Sequence, residues 1–255
     1  MPNVHDSRLS FKPPFRVRFV EDYSLPPAEQ LACDEALLDL RESSDGDGLL
    51  RFWEPDRVFV VLGRTSAAAH EIRLDVCRSR NIPILRRVSG GGTVVQSPGC
   101  LNFSLVLAMT AREEFATAGG TNASIMRHHA DVLGSLTGEH VEVSGFSDLT
   151  IAGRKFSGNA QRRKLRYFLF HGCILLNADL NLMEELLPLP PKQPAYRESR
   201  THAMFVRNLS ISPAEAKQAL RNAWNVRTLE HSLPRAEIDR LVRERYANPS
   251  WTALL

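Results

Sequence analysis

The stretch that decides the fold is residues 148–177, DLTIAGRKFSGNAQRRKLRYFLFHGCILLN. Its first residues form a short strand pattern that ends at Ala152-Gly153, and its last eleven form an almost continuous apolar run, which is typical of a buried strand. Elsewhere in the chain several strands are joined by turns too short for the crossover of about a dozen residues that joins parallel strands, as at Pro55-Asp56 between the strands predicted at 48–55 and 57–63. Together these patterns favour a mixed or antiparallel sheet.

The same patterns continue on both sides of this stretch. Strands are predicted near residues 15–20, 48–55, 57–63, 83–87, 101–109 and 141–143, and helices near 28–40, 72–80, 121–136, 179–187, 213–224 and 234–246. Interleaved helices with short strand connections predict an α/β fold of the α+β type, with a mixed, largely antiparallel sheet flanked by helices. Residues 1–14 are expected to be a flexible lead-in and 188–212 a mobile loop.

Composition excludes several classes of protein. The chain has 255 residues, of which 43% are apolar and 24% charged, with a net charge of +3. These are ordinary values for a globular protein, and the charge is too balanced to indicate nucleic acid. There is no signal-peptide pattern and no membrane-spanning run, so a cytoplasmic protein with no membrane partner is expected. A modest positive charge suits an acidic protein partner.

The four cysteines, Cys33, Cys77, Cys100 and Cys173, show neither a CxxC pair nor zinc-ligand spacing. Each lies among apolar or small residues. They are therefore predicted to be reduced and partly buried thiols.

A glycine-rich segment, Arg86-Arg87-Val88-Ser89-Gly90-Gly91-Gly92-Thr93-Val94, carries the first chemical signal. Three consecutive glycines let a backbone approach a ligand closely and direct N–H groups at it, and the two arginines could add contacts to phosphate or carboxylate. The spacing is neither that of a phosphate-binding loop nor that of a dinucleotide fingerprint. A flexible turn beside exposed charges explains the segment equally well.

A lysine and a histidine carry the other two signals. Lys155 follows the strand end at Gly153 and precedes Ser157-Gly158-Asn159, a set that favours a turn. Such a lysine can act as a fixed charge on an acyl or phosphate oxygen, or can simply be solvated. His171 lies in an apolar strand, where a satisfied core histidine is the alternative. The basic run at residues 162–166 is explained by a solvated hairpin tip.

Together these segments resemble the lipoate-protein ligase family, which shares its catalytic domain with biotin protein ligases and octanoyltransferases. RRVSGGGTVVQSPGCLNFSL is similar to that family's arginine and triple-glycine loop, and SDLTIAGRKFSGNAQRR with HGCILLNADL is similar to its lysine segment and His-Gly strand. The intervals of seven positions from Lys155 to Arg162 and nine from Arg162 to His171 also agree. Weaker similarity extends the match over roughly residues 16–210.

The resemblance implies a biotin/lipoate ligase type of catalytic domain over residues 15–255, with two C-terminal helices and no separate accessory domain. It implies that Lys155 contacts the acyl carbonyl and phosphate, and that Asp148 helps to hold ribose or Mg²⁺. The remaining residues implied to bind substrate or nucleotide are Arg86, Arg87, Ser89, Gly90, Gly91, Gly92, Thr93, Val94, Ser157, Gly158, Arg162, His171 and Gly172. Gln96 and Ser147 depart from the family pattern, which often has histidine and asparagine there.

Three functions are compatible with the resemblance. A lipoate-protein ligase would use ATP and Mg²⁺ to activate lipoate or octanoate. It would modify lipoyl domains of 2-oxoacid dehydrogenases or the glycine cleavage H protein, with or without an accessory subunit.

An octanoyltransferase or amidotransferase would use a cysteine thioester. The relatives with that chemistry place the cysteine upstream of the lysine, where HVEVSGFSD has none. Cys100 and Cys173 remain alternatives, and a lipoyl-binding scaffold without turnover is the third function.

Overall fold

A computed structural model of the chain describes residues 15–21, 24–230 and 232–253, so the predicted lead-in over residues 1–14 lies outside the described residues. The strands are β1 (Val17–Val20), β2 (Gly48–Trp53), β3 (Phe59–Leu62), β4 (Ile84–Arg86), β5 (Val94–Gln96), β6 (Cys100–Ala108), β7 (Glu142–Ser144), β8 (Asp148–Ile151), β9 (Arg154–Arg163), β10 (Tyr167–Leu175) and β11 (Thr228–Glu230). The helices are α1 (Pro27–Ser43), α2 (Ala68–Glu71), α3 (Leu74–Ser79), α4 (Ala118–Thr137), α5 (Asn181–Leu186), α6 (His202–Phe205), α7 (Pro213–Ala223), α8 (Arg235–Leu241) and α9 (Pro249–Thr252).

The strands form two sheets. The larger sheet has eight strands in the order β11-β1-β2-β6-β10-β9-β8-β7, and the smaller has the order β4-β3-β5. Parallel pairs occur only at β1–β2, β1–β11 and β3–β4 among the described strands. The predicted mixed, largely antiparallel sheet with flanking helices is confirmed.

Helices cover both faces of the larger sheet. Phe168 and Phe170 of β10 pack with side chains of α4 and α7 on one face, whereas Leu169 packs with α1 and α8 on the other. Burial on both faces explains why β10 reads as a continuous apolar run instead of an alternating one. In the part of the chain that the structure describes, no helix has the length and apolar character needed to cross a bilayer.

The turn predicted at Ser157-Gly158-Asn159 is wrong. These three residues lie inside β9 and pair with Ile174, Cys173 and Gly172 of β10. Pairing along ten residues of strand outweighs the local turn preference of small polar side chains. The tight turn lies at Ala152 and Gly153, whose φ angles of 49° and 68° suit a two-residue hairpin.

Two further differences concern the smaller sheet. The helix predicted near residues 72–80 is α3, and a second short helix, α2, precedes it; Ile72 has an extended backbone between the two. The segment after the glycines, for which no strand was predicted, forms β5, which pairs with β3. This pairing places the glycine-rich loop between two strands of the smaller sheet.

Candidate active site

A cavity of about 910 Å³ lies where the two sheets meet. The glycine-rich loop and β5 form one wall, β9 and β10 form another, and the segment from Pro188 to Val206 borders the third side. Of the residues expected in the site, eleven line this cavity: Arg87, Gly91, Gly92, Thr93, Val94, Asp148, Lys155, Ser157, Gly158, His171 and Gly172.

Lys155 is the cationic centre of the β9 wall. A register irregularity between Leu149 and Thr150 of β8 lies opposite it, and such bulges re-aim side chains. The Lys155 Nζ atom lies 2.8 Å from Asp148 Oδ1, and the half-buried phenol of Tyr196 donates to Asp148 Oδ2 at 2.7 Å. The amine is thus held by one shared carboxylate instead of being free in solvent.

Gly158 makes room for this lysine. A Cβ atom at position 158 would lie 2.7 Å from Lys155 Nζ and 2.8 Å from its Cε. The lysine side chain therefore folds back across Gly158 to reach Asp148. Any larger residue at 158 would push the amine away from its partner.

The glycine-rich loop is held from within by Arg87. Its guanidinium donates to the carbonyls of Gly90 at 2.6 Å and Gly92 at 2.9 Å, and burial lowers its pKa to about 10. Gly91 has a φ of 86°, which favours glycine, and its carbonyl lies so near Gly63 that a Cβ there would be 1.9 Å away. The loop is therefore a rigid wall with its backbone against the cavity.

Four expected site residues do not line the cavity: Arg86, Ser89, Gly90 and Arg162. Arg86 is fully buried, and its guanidinium donates to five backbone carbonyls, those of Gly63, Arg64, Ser66, Trp251 and Thr252. The Trp251 indole donates back to the Arg86 carbonyl at 2.8 Å. Arg86 therefore joins the glycine-rich loop to α9, and its guanidinium is buried away from the cavity lining.

Ser89 instead belongs to a buried chain of hydrogen bonds. Its Oγ lies 2.6 Å from His171 Nε2, and His171 Nδ1 lies 3.2 Å from Asp34 Oδ2. Asp34 also pairs with Arg51 at 2.7 Å. Burial by itself would raise the pKa of Asp34, but the hydrogen bond from His171 and the charge of Arg51 outweigh it, so the pKa is lowered.

These hydrogen bonds join serine, histidine and aspartate in the order of a catalytic triad, but the serine is not accessible to a substrate. Ser89 is 1% exposed, and Arg87 Nε already donates to its Oγ at 3.1 Å. A nucleophile must reach the substrate, whereas Ser89 lies behind the cavity wall. The hydrogen bonds to Ser89 and Asp34 therefore fix the imidazole ring of His171, which does line the cavity.

Cys173 is the cysteine that borders the cavity, whereas Cys100 is buried behind it. The hydrogen bond with Cys100, together with burial, holds the pKa of Cys173 well above its usual range. The same hydrogen bond lowers the pKa of Cys100, so within this pair the thiolate is favoured on the buried cysteine and not on the one that borders the cavity. Next to the two cysteines, Gln96 and Asn102 join their amides by two hydrogen bonds of 2.9 and 2.8 Å.

The sequence patterns missed Asp34, Tyr196 and Arg197, which reach the cavity region from α1 and from the proline-rich segment. Asp34 looks like one more polar residue in a helix, and Tyr196 and Arg197 lie in a stretch without periodicity. Their place beside the cavity follows only from the folded arrangement.

Comparison with known proteins shows the family to which the chain belongs. Residues 26–224 match the family described as Lipoyl protein ligase A/B catalytic domain, and the chain belongs to that family. It is an enzyme of the group that contains lipoate-protein ligases and octanoyltransferases.

Individual relatives divide between the two activities. Octanoyltransferase LipM of Carboxydothermus hydrogenoformans is 28% identical over 92% of this chain and 97% of its own. Lipoate-protein ligase A subunit 1 of Thermoplasma acidophilum is 30% identical over 64% of this chain and 63% of its own. The structure of a putative lipoate protein ligase from T. acidophilum with bound lipoic acid has the same fold, with a TM-score of 0.75 at 20% identity, and the match covers 94% of this chain and 99% of that one.

Proposed function

We propose that the protein is a lipoate-protein ligase, which activates lipoate with ATP and transfers the lipoyl group to a lysine of a carrier domain. The observation that carries this proposal is the position of Lys155, which borders a largely apolar cavity opposite the glycine-rich loop. A positive charge fixed in such a cavity stabilises negative charge on an acyl or phosphate oxygen.

The first step joins acid and nucleotide. A carboxylate oxygen of lipoate attacks the α-phosphorus of ATP, the bond to the β-phosphate oxygen breaks, and pyrophosphate leaves with the electron pair. Lys155 stabilises the charge that develops on the phosphate oxygens. The rigid Gly91–Gly92 backbone holds the mixed anhydride against the lysine, since both glycines line the same cavity.

The second step transfers the acyl group. The neutral ε-amine of the carrier lysine attacks the acyl carbon, the amide bond forms, and AMP leaves as the amine loses a proton. Lys155 now stabilises the oxyanion of the tetrahedral intermediate. Neither step needs a nucleophile from the protein.

The site is also suited to a Mg²⁺ ion that arrives with the nucleotide. Mg²⁺ is usually held by one or two carboxylates, the substrate phosphates and water. Asp148 lines the cavity and supplies one such carboxylate, and the described residues contain no group of three or more acidic, histidine or cysteine side chains that would hold a metal without phosphate. Bound there, the ion would neutralise phosphate charge.

The rival proposal is an octanoyltransferase that works through a thioester on Cys173. Two observations favour it: the near full-length similarity to LipM of C. hydrogenoformans, and the place of Cys173 on the cavity wall. Against it stands the pairing of the two cysteines: the hydrogen bond between them raises the pKa of Cys173 and lowers that of Cys100, which is buried and does not line the cavity. The segment between α4 and β8 contains no cysteine that could serve instead.

The partner we propose is a lipoyl domain of a 2-oxoacid dehydrogenase or the glycine cleavage H protein, because a lysine acceptor completes the reaction. An accessory subunit is a further proposal. It is supported by the similarity to a relative that is itself named as subunit 1 of a ligase.

Mass spectrometry of an apo carrier domain distinguishes these functions. With lipoate, ATP and Mg²⁺, we expect a lipoyl mass gain on the carrier that disappears without ATP and persists in Cys173→Ser and Cys100→Ser variants. Transfer from octanoyl-carrier protein without ATP, lost in Cys173→Ser, would establish the transferase instead. Lipoate binding with no modification under either condition would leave only a binding scaffold.

A further inference from the structure

Arg197 is a buried cation whose charge no described residue neutralises. The residue lines the cavity and is only 4% exposed. Nε donates to the Arg200 carbonyl at 3.0 Å, but Nη2 is buried without an acceptor, and Nη1 has none among the described residues. No described carboxylate lies within ion-pair distance of the guanidinium; Glu184 acts on it only from further away.

The other buried arginines show how unusual this is. Arg51 pairs with Asp34, Arg86 donates to five carbonyls, and Arg87 holds the glycine-rich loop. A buried charge without a partner lowers stability, and burial accordingly lowers the pKa of Arg197. A position that keeps such a cation is expected to meet an anion from outside the chain.

The backbone around Arg197 is shaped to hold it there. Glu198 and Ser199 both adopt left-handed φ angles, 52° and 57°, which are strained for residues other than glycine. This tight turn lets Arg200 Nε donate back to the Arg197 carbonyl at 3.0 Å. The Arg197 guanidinium then lies 4.6 Å from the ring centre of Phe205.

The same segment contacts the surroundings of Lys155. Tyr196, next to Arg197, bonds the carboxylate that holds Lys155. Val206, next to Phe205, forms a β-bridge with Lys155 itself. Lys155 and Arg197 therefore reach one cavity from two different walls.

We propose that Arg197 binds the phosphate chain of the nucleotide, the part that leaves as pyrophosphate. This assignment rests on the proposed function. A carboxylate carries a single charge, which Lys155 alone can balance, whereas a polyphosphate needs further cations. Arginine offers phosphate two parallel N–H groups, and the unused Nη1 and Nη2 of Arg197 supply them.

Calorimetry with inorganic pyrophosphate, Mg-ATP and lipoate tests the assignment. In Arg197→Met we expect the affinities for pyrophosphate and ATP to fall roughly 10- to 100-fold, since a charge-assisted contact is lost, while lipoate affinity stays within about twofold. The melting temperature of the ligand-free variant should not fall, because the substitution removes an unpaired buried charge.

Lys192→Met is the matched control, because Lys192 also lines the cavity but is exposed. It should weaken pyrophosphate binding less than about threefold, as a screened surface charge does. An equal loss in both variants would reduce the effect to net charge and overturn the assignment. Two other results would also overturn the assignment: an unchanged affinity of Arg197→Met for pyrophosphate, or a fall in its affinity for lipoate alone.

Arg197→Lys keeps the proposal testable if the methionine variant does not fold. It retains the charge but not the planar fork, so pyrophosphate affinity should still fall about tenfold, and wild-type affinity would overturn the assignment. Wild-type protein that binds pyrophosphate but never ligates would refute the proposed function alone. A ligase whose Arg197 variants bind pyrophosphate normally would refute this inference alone.

Discussion

Lys155 and Asp148 form an ion pair of 2.8 Å inside the cavity, and the phenol of Tyr196 bonds the second oxygen of the same carboxylate. The lysine is therefore positioned before any substrate arrives. An acyl or phosphate oxygen has to compete with Asp148 for the amine, and Tyr196 keeps Asp148 satisfied when it does. Asp148 thus positions the Lys155 amine before substrate binds, and the amine contacts the substrate oxygen only once that oxygen has displaced Asp148.

Lys155→Ala should abolish most of the activity without unfolding the protein. The loss of one fixed oxyanion partner corresponds to roughly 10²- to 10³-fold in kcat. The free energy of unfolding should change by less than about 1 kcal/mol, because the pair is partly exposed to solvent. Carrier modification rates and urea unfolding measure the two quantities.

Lys164→Ala is the control for that experiment. Lys164 forms a comparable ion pair with Asp39 but lies outside the cavity lining. This variant should keep its rate. If Lys155→Ala were as active as Lys164→Ala, the role given to Lys155 would be wrong.

Gly158→Ala should impair catalysis through the position of the lysine. The added Cβ would meet the flexible end of Lys155 at 2.7 Å, so the amine moves and the fold adjusts at little cost. A displacement of this size is expected to lower kcat by about 10- to 100-fold. Gly90→Ala makes a suitable comparison, because a Cβ there meets nothing within 4 Å; equal rates in the two variants would contradict the explanation.

Arg86→Met should destabilise the protein far more than Lys155→Ala. It leaves five carbonyl groups without their shared donor, which corresponds to about 3 kcal/mol or more. Urea unfolding provides the measurement, with the exposed Arg57→Ala as a control expected to lie within about 0.5 kcal/mol of wild type. If Arg86→Met were as stable as wild type but bound substrate more weakly, the structural role would be wrong and Arg86 would be a substrate-binding residue.

Stability should fall as the solution becomes acidic below about pH 6.5. Burial lowers the pKa of His129 to about 3, and its Nε2 accepts a hydrogen bond from the Trp224 indole at 2.9 Å. Between the unfolded pKa and this folded value, the unfolded chain binds a proton that the folded protein excludes. His129 alone should therefore remove about 2 kcal/mol between pH 7.5 and pH 5.

Urea unfolding across this pH range checks that expectation. His129→Gln keeps an acceptor for Trp224 but cannot titrate, so its stability should depend less on pH than that of wild type. His140→Gln replaces an exposed histidine and should leave the pH dependence unchanged. Parallel curves for wild type and His129→Gln would exclude His129 as the source.

The sheet could be predicted because its signals are local. The strand end at Ala152-Gly153 and the apolar run of β10 each follow from neighbouring residues, whereas β9 between them was not predicted. The turn falsely expected at Ser157-Gly158-Asn159 was also a local signal, but strand pairing with β10 outweighed it. Local preference decides the structure only where no long-range partner competes with it.

The site could be predicted only in part, because adjacent residues diverge in space. Arg86 and Arg87 are neighbours, yet Arg87 borders the cavity while Arg86 bonds carbonyls near residue 251. Nothing in their sequence environment distinguishes them. Arg197 could not be found for the opposite reason: its significance lies in partners that are missing, which only the folded arrangement of the described residues reveals.

The reciprocal bonds between Arg86 and Trp251 join the strand that leads into the glycine-rich loop to α9, a helix far along the chain. Amide hydrogens on the two segments should therefore exchange with solvent at related rates, as members of one cooperative unit. A substrate that slows hydrogen exchange in the glycine-rich loop would also slow it in α9. The Trp251 indole would then serve as a native optical reporter of loop motion.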